Sequence, residues 1–454
     1  MRFFLKYLAN ERLQKALPFL RQSSAHVFFQ LVSMAMPFFL LPITTHYMMP
    51  HDYGRFALYM VMAGFIAPVV SMGVDQVFAY GYFKRTVEQR AELVSSYILT
   101  MLIVALGLEV VLVGVGLTMS GMLDMSQKAL ATMGVYAALL FLPLLGQTVA
   151  FMEKNLLLQG VFIVGRILIA YLVSLPLMIF VTTNWYVLLA GQFVALTILS
   201  IVALRYLWSK NLLSGLKLSR AAVMEILGVG GPMVFLMLAS AMVGFVDRMV
   251  VQYFLGTDGV GLYAIPYSMM GAVMMLLIAL SRGVAPTVIR LASERTPEGL
   301  HMVVKVFFGY WAAIIVVFLV AALLGGPVFK LLTSEAYAQG AKLVPALALA
   351  FMFNTLFMFN SSLLVLEKKT GLLAVLSILA GVLNAGLNWE MVPGFGLLGA
   401  AWANVIAFGV LSFVTFGVML RYVPFPWGQV GREVAELRHA AYEKLGRRLG
   451  RGRK

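Results

Sequence analysis

The sequence predicts an all-α polytopic membrane protein of about 12 transmembrane helices in two parallel-repeat six-helix bundles. Three observations carry that expectation. Hydrophobic residues make up 61% of the 454 positions and charged residues 12%, with a mean hydropathy of +0.92. A soluble domain carries about 25% charged residues. Apolar runs long enough to cross the hydrocarbon, which takes about 20 residues of helix, fill almost the whole chain. The third observation is internal repetition. Glu153-Lys154 interrupts two apolar runs, and Glu367-Lys368-Lys369 does the same 214 residues later. Likewise Tyr47–Ala57 has a counterpart in Tyr253–Ala264, at an offset of 206 with one inserted residue. Homologous halves are a common architecture of transporters.

Taken in order, the expected spans are 24–46, 55–81, 93–119, 129–152, 156–181, 186–206, 223–252, 261–287, 303–325, 343–366, 370–391 and 397–420. They divide the chain into an N-terminal interfacial segment (1–22), a first six-helix bundle (23–207), a linker (208–222), a second bundle (223–421) and a basic tail (422–454). The loops are too short for a soluble domain. Pro37 and Pro42 together make span 1 the expected moving helix, against the alternative of a static kink. In the tail, Val430, Val434, Leu437, Ala441 and Leu445 share a face beside Arg432, Arg438, Lys444, Arg447 and Arg448, as in a helix on an anionic lipid surface. Residues 1–20 read the same way. The charged start (Arg2, Lys6, Glu11, Arg12, Lys15) does not read as a signal peptide.

The net charge of +15 sorts by loop, so it is not a nucleic-acid signal. With the N-terminus inside, the outer loops hold only Arg55, Lys128, Lys330 and Lys342, and the remaining loop cations face the cytoplasm. Both termini are therefore expected to be cytoplasmic, and six spans per half make the repeats parallel. Cysteine is absent. The five histidines make no metal-ligand spacing. No nucleophile–base set, phosphate-cradling loop, cofactor site or nucleotide-binding domain is visible.

Several stretches resemble one family. Leu41-Pro42 followed by Tyr47-Met48-Met49-Pro50-His51-Asp52-Tyr53-Gly54 is similar to the opening of the polysaccharide exporters, the Wzx-type lipid-linked oligosaccharide flippases of the MOP superfamily. Met72-Gly73-Val74-Asp75, Gly231-Pro232, Val246-Asp247-Arg248, Gly259–Tyr263, Pro286 and Pro393–Ala403 resemble further family motifs in the family's order, so that the likeness covers roughly residues 20–425. It implies a MATE-like, V-shaped fold in a bacterial inner membrane. It also implies alternating-access translocation of an undecaprenyl-pyrophosphate-linked oligosaccharide, with H+ or Na+ coupling. Membrane lipids and a polysaccharide polymerase or other assembly proteins would be the partners. A MATE-type exporter of cationic drugs shares the fold and is the alternative. A glycan polymerase or ligase would need a long outer loop with catalytic Arg or His, which is missing.

An ionisable group at the bilayer centre costs at least about 2.5–3.5 kcal/mol, so each one needs a reason. Six such groups are expected: Asp75, Glu109, Arg166, Asp247, Arg248 and Arg282. Arg248, Arg282 and Arg166 are the candidates for attracting phosphate, since a guanidinium offers five donors in a planar fork. Asp75, Asp247 and Glu109 are the candidates for ion coupling. Asp75 and Arg282 lie at corresponding depths of the two halves, which allows a pair across the cavity. The plain counterparts are Arg282 snorkelling to the headgroups, Asp75 in a wetted helix end, Arg248 and Arg166 as interhelical clamps, and Glu109 as a structural hydrogen-bonding acid. Asp247 and Arg248 are helical neighbours about 100° apart, so they do not face one another.

Overall fold

A computed structural model describes residues 11–422 except Tyr80, Ser214, Leu216, Arg295, Thr296 and Lys368. The apolar face expected at 1–20, the basic helix expected at 427–454 and the Arg282 side chain lie outside what is described. Among the described residues the chain is helical, with no strand. The first half comprises α1 (Glu11–Tyr47), α2 (Pro50–Ser71), the short α3 (Val74–Ala79), α4 (Val87–Leu123), α5 (Gln127–Met152), α6 (Leu156–Phe180) and α7 (Tyr186–Ser209). After α8 (Arg220–Glu225), the second half comprises α9 (Gly231–Glu294), α10 (Pro297–Leu332), α11 (Val344–Leu366), α12 (Thr370–Phe395) and α13 (Leu397–Tyr422).

Ten of these stretches are long and apolar enough to cross a membrane. The two remaining expected spans are the arms of α9, which bends at Gly256, where φ is 70° and ψ −174°. Only glycine adopts that backbone readily. Local signals set the other helix ends. Ser126, Asn155 and Ser219 accept the first free N–H groups of α5, α6 and α8, and Pro50 opens α2. The expected single span 55–81 is two pieces, because Met72 (φ 38°) and Gly73 (φ 58°) turn left-handed and redirect α3.

α2 runs antiparallel to the first arm of α9 along the seam between the halves, with Phe65 stacked on Phe245 at 4.6 Å between ring centroids. At the end away from the N-terminus, here the far end, the repeated turns meet reciprocally. A Cβ on Gly54 would lie 2.0 Å from the Thr257 carbonyl oxygen, and a Cβ on Gly261 would lie 2.0 Å from that of Pro50. Under the repeat, Pro50 corresponds to Thr257 and Gly54 to Gly261. The contact is therefore self-complementary, as a two-fold axis along the helices requires. His51 and its counterpart Asp258 sit 3.6 Å apart on that axis.

Polar contacts close the far end around this point. Arg55 Nη2 donates to Asp124 Oδ1 (2.9 Å), Thr257 Oγ1 to Asp124 Oδ2 (2.9 Å), Ser334 Oγ to the Thr45 carbonyl (2.7 Å), and Tyr337 OH to the Met48 carbonyl (2.9 Å). The last three join the two halves. At the N-terminal end, Glu153 of the repeated Glu-Lys turn accepts from Tyr82 OH at 2.8 Å and faces Arg90 at 3.6 Å. Arg85 pairs there with Glu225. The linker is held to α4 by Ser96 Oγ, which donates to the Lys217 carbonyl and accepts from Ser219 N–H.

Candidate substrate cavity

Between the halves lies a space that narrows toward the far end. A chamber of about 670 Å³ at the N-terminal end is lined by α1, α3, α5 and the second arm of α9. It shares Gln30, Met34 and Met275 with a deeper chamber of about 830 Å³. Next to that, Pro37, Phe38, Thr44, Tyr53 and Met269 line a gap of about 40 Å³, beneath the polar closure. The cavity thus reaches toward the N-terminal end and is shut at the far end.

Arg248 stands in the wall of the deep chamber. Its Nη1 donates to the Gly244 carbonyl at 2.9 Å, and the guanidinium lies 4.1 Å from the Tyr267 ring centroid. The buried Nε has no hydrogen-bond partner, and the side chain makes no ion pair among the described residues. Cation–π contact and one carbonyl hold the fork in place, and the adjacent Asp247 carboxylate attracts it without forming an ion pair. No carboxylate lines this chamber.

Asp247 points away from Arg248 into the second bundle and is fully buried. Its Oδ1 accepts from Asn388 Nδ2 (2.9 Å), and its Oδ2 from Asn404 Nδ2 (2.7 Å) and Tyr263 OH (3.3 Å). Asn384 extends the network, donating to Asn404 Oδ1 at 3.3 Å. A buried carboxylate surrounded by amide and phenol donors is a solvated anion without water. The three asparagines and Tyr263 were not among the sequence candidates. Uncharged amides scarcely lower the hydropathy of a span; the signal was the i, i+4 spacing of Asn384 and Asn388, which places both on one helix face.

The other candidates are dispersed. Asp75 lies on α3, exposed in the N-terminal chamber, and accepts a short hydrogen bond from Thr148 Oγ1. Glu109 lines none of these chambers; its carboxylate lies against α5, where a Cβ on Gly134 would fall 1.8 Å from Oε2. Arg166 also lies off the chamber linings, within the first bundle, with its Nε buried and unpartnered. The structure therefore separates the five described sequence candidates rather than gathering them into one site.

No curated protein matches the chain by sequence. Solved structures resemble it over most of its length. One is an inward-facing multidrug resistance MATE family transporter of the MOP superfamily, with TM-score 0.65, 16% identity, and 88% of this chain and 94% of that one covered. Another is the lipid II flippase MurJ in an inward closed conformation, with TM-score 0.63, 14% identity and coverages of 90% and 87%. A third is a MOP superfamily transporter from Pyrococcus furiosus Vc1 (DSM3638), with TM-score 0.59, 15% identity and coverages of 88% and 95%. At these identities the likeness establishes the fold, that of a multi-pass MATE-like membrane protein. A family model described as polysaccharide biosynthesis protein matches residues 19–292, more than half of the sequence, and the chain belongs to that family.

Proposed function

We propose that the chain is a flippase that moves an undecaprenyl-pyrophosphate-linked oligosaccharide from the cytoplasmic to the outer leaflet by alternating access. The observation that carries this reading is Arg248: a cation in the wall of a large inter-half chamber, without an ion pair among the described residues and with no carboxylate in the described chamber lining. A guanidinium left this way attracts a phosphate and repels a cationic drug, which weighs against the drug-antiporter alternative. The positive-inside distribution supports a cytoplasmic N-terminal end, and so a cavity open to the cytoplasm; the membrane in this reading is a bacterial inner membrane. The lipid tail stays in the bilayer while the head group occupies the cavity. Asp247 is the proposed coupling site for H+ or Na+, because a buried carboxylate among reorientable amides is stabilised by either cation and lies outside the lining of the Arg248 chamber. The membrane potential would supply about 2.3 kcal/mol per charge per 100 mV. Polymerase and assembly proteins would receive the product.

Arg248→Ala should abolish surface polysaccharide while the protein stays in the membrane at normal level. Normal polysaccharide in that variant would remove the phosphate-attracting role.

A further inference from the structure

The N-terminal chamber differs chemically from the deep one. Among the described residues its polar lining comes from the first half: His26 and Gln30 on α1, Asp75 and Gln76 on α3, Gln147 and Thr148 on α5. Met275 and Ile278 of the second half line it as well. Among the described residues no lysine or arginine lines it. The Gln30, Gln76 and Gln147 side chains make no hydrogen bond among the described residues, and Asp75 uses only Oδ1, toward Thr148. Three carboxamides and a free carboxylate oxygen therefore face one space within a largely apolar membrane domain. Such groups are tolerated there only when water or a ligand satisfies them.

We infer that this chamber is a glycan subsite, built to hold uncharged sugar rings while Arg248 holds the phosphates in the chamber beyond. Carboxamides both donate and accept, and a carboxylate accepts. Together they match the paired donors and acceptors of vicinal hydroxyls. A phosphate is different: it offers only acceptors and negative charge, so it leaves the carboxamide carbonyls and the Asp75 carboxylate of this wall without a donor. The left-handed break at Met72-Gly73 is what turns Asp75 and Gln76 into the space. Head-group selectivity would thus reside in the first half and phosphate recognition in the second. The inference rests on the flippase reading above, and its test separates the two.

The purified full chain is titrated in detergent micelles with undecaprenyl pyrophosphate and with undecaprenyl-pyrophosphate-N-acetylglucosamine, and binding is read by native mass spectrometry. The wild type should prefer the glycosylated carrier. Gln147→Leu and Gln76→Leu should each lower affinity for the glycosylated carrier roughly three- to tenfold, the effect of one neutral hydrogen bond, and leave bare-carrier binding as the check on folding. Arg248→Ala should weaken both carriers alike. If it weakens neither, the phosphate reading fails, while a surviving preference for the glycosylated carrier still supports the subsite. Equal effects of the glutamine variants on both carriers, or none on either, would overturn the subsite. So would tetraphenylphosphonium competing with the glycosylated carrier in the wild type but not in Asp75→Asn, since the chamber would then be a cation site.

Discussion

At the scale of single residues, adjacent charges on α9 have been given different surroundings by one step of helix rotation. Arg248 turns to the cavity, and Asp247 turns to asparagines contributed by α12 and α13. Asn404 is central, since its amide serves both Asp247 and Tyr263 OH (2.9 Å). Asn404→Leu should leave a buried carboxylate short of a donor and cost about 1–3 kcal/mol, and more where the acceptor is charged, read as a lowered midpoint in thermal unfolding of the detergent-solubilised protein. An unchanged midpoint would mean that the network adds nothing to stability. The charges were legible in the sequence because a charge within an apolar run stands out. Their partners were not, because which of several helices supplies an amide depends on packing between residues more than 100 positions apart, 141 and 157 in the case of Asp247.

Among elements, the seam between α2 and α9 decides which end is shut. Its far end depends on a glycine that nothing larger can replace. Gly54→Leu would drive a side chain into the Thr257 carbonyl, and overpacking of about 1–3 kcal/mol would shift the equilibrium roughly five- to hundredfold toward far-end opening. Spin labels on cysteines introduced at Lys128 and Lys330, in a chain without cysteine of its own, would report the longer distance. The same pair of labels tests pH. Burial pushes the Asp124 carboxyl up, but hydrogen bonds from Arg55 and Thr257 and the charges of Arg55 and His51 outweigh it and hold the group below its ordinary value. A lowered carboxylate stabilises the closed arrangement above the ordinary range of about 4, and that contribution is lost as pH falls through the lowered value. The label distance should therefore lengthen on acidification below about 4. Arg55→Ala should weaken closure at neutral pH. That apolar helices long enough to cross a membrane fill the chain followed directly from hydropathy. The break at Met72-Gly73 did not, because two left-handed residues leave no mark in an apolar run.

The whole molecule is a pair of similar bundles touching along a seam and enclosing a cavity open toward one end. The repeat was visible in the sequence at both the Glu-Lys turns and the Tyr47 and Tyr253 segments, because turns keep their polar residues where spans drift among interchangeable apolar ones. The sequence could not show that the second pair of repeated segments pack against each other. That contact has a consequence for ancestry and assembly. A surface that is complementary to its own copy needs no covalent link to find its partner, so the linker is a convenience rather than a requirement. Residues 1–213 and 214–454, produced as separate polypeptides in one cell, should copurify and restore surface polysaccharide, and the Gly54→Leu change in the first piece should prevent both. Such a result would mark the protein as a fused homodimer whose halves later divided the labour of holding one substrate.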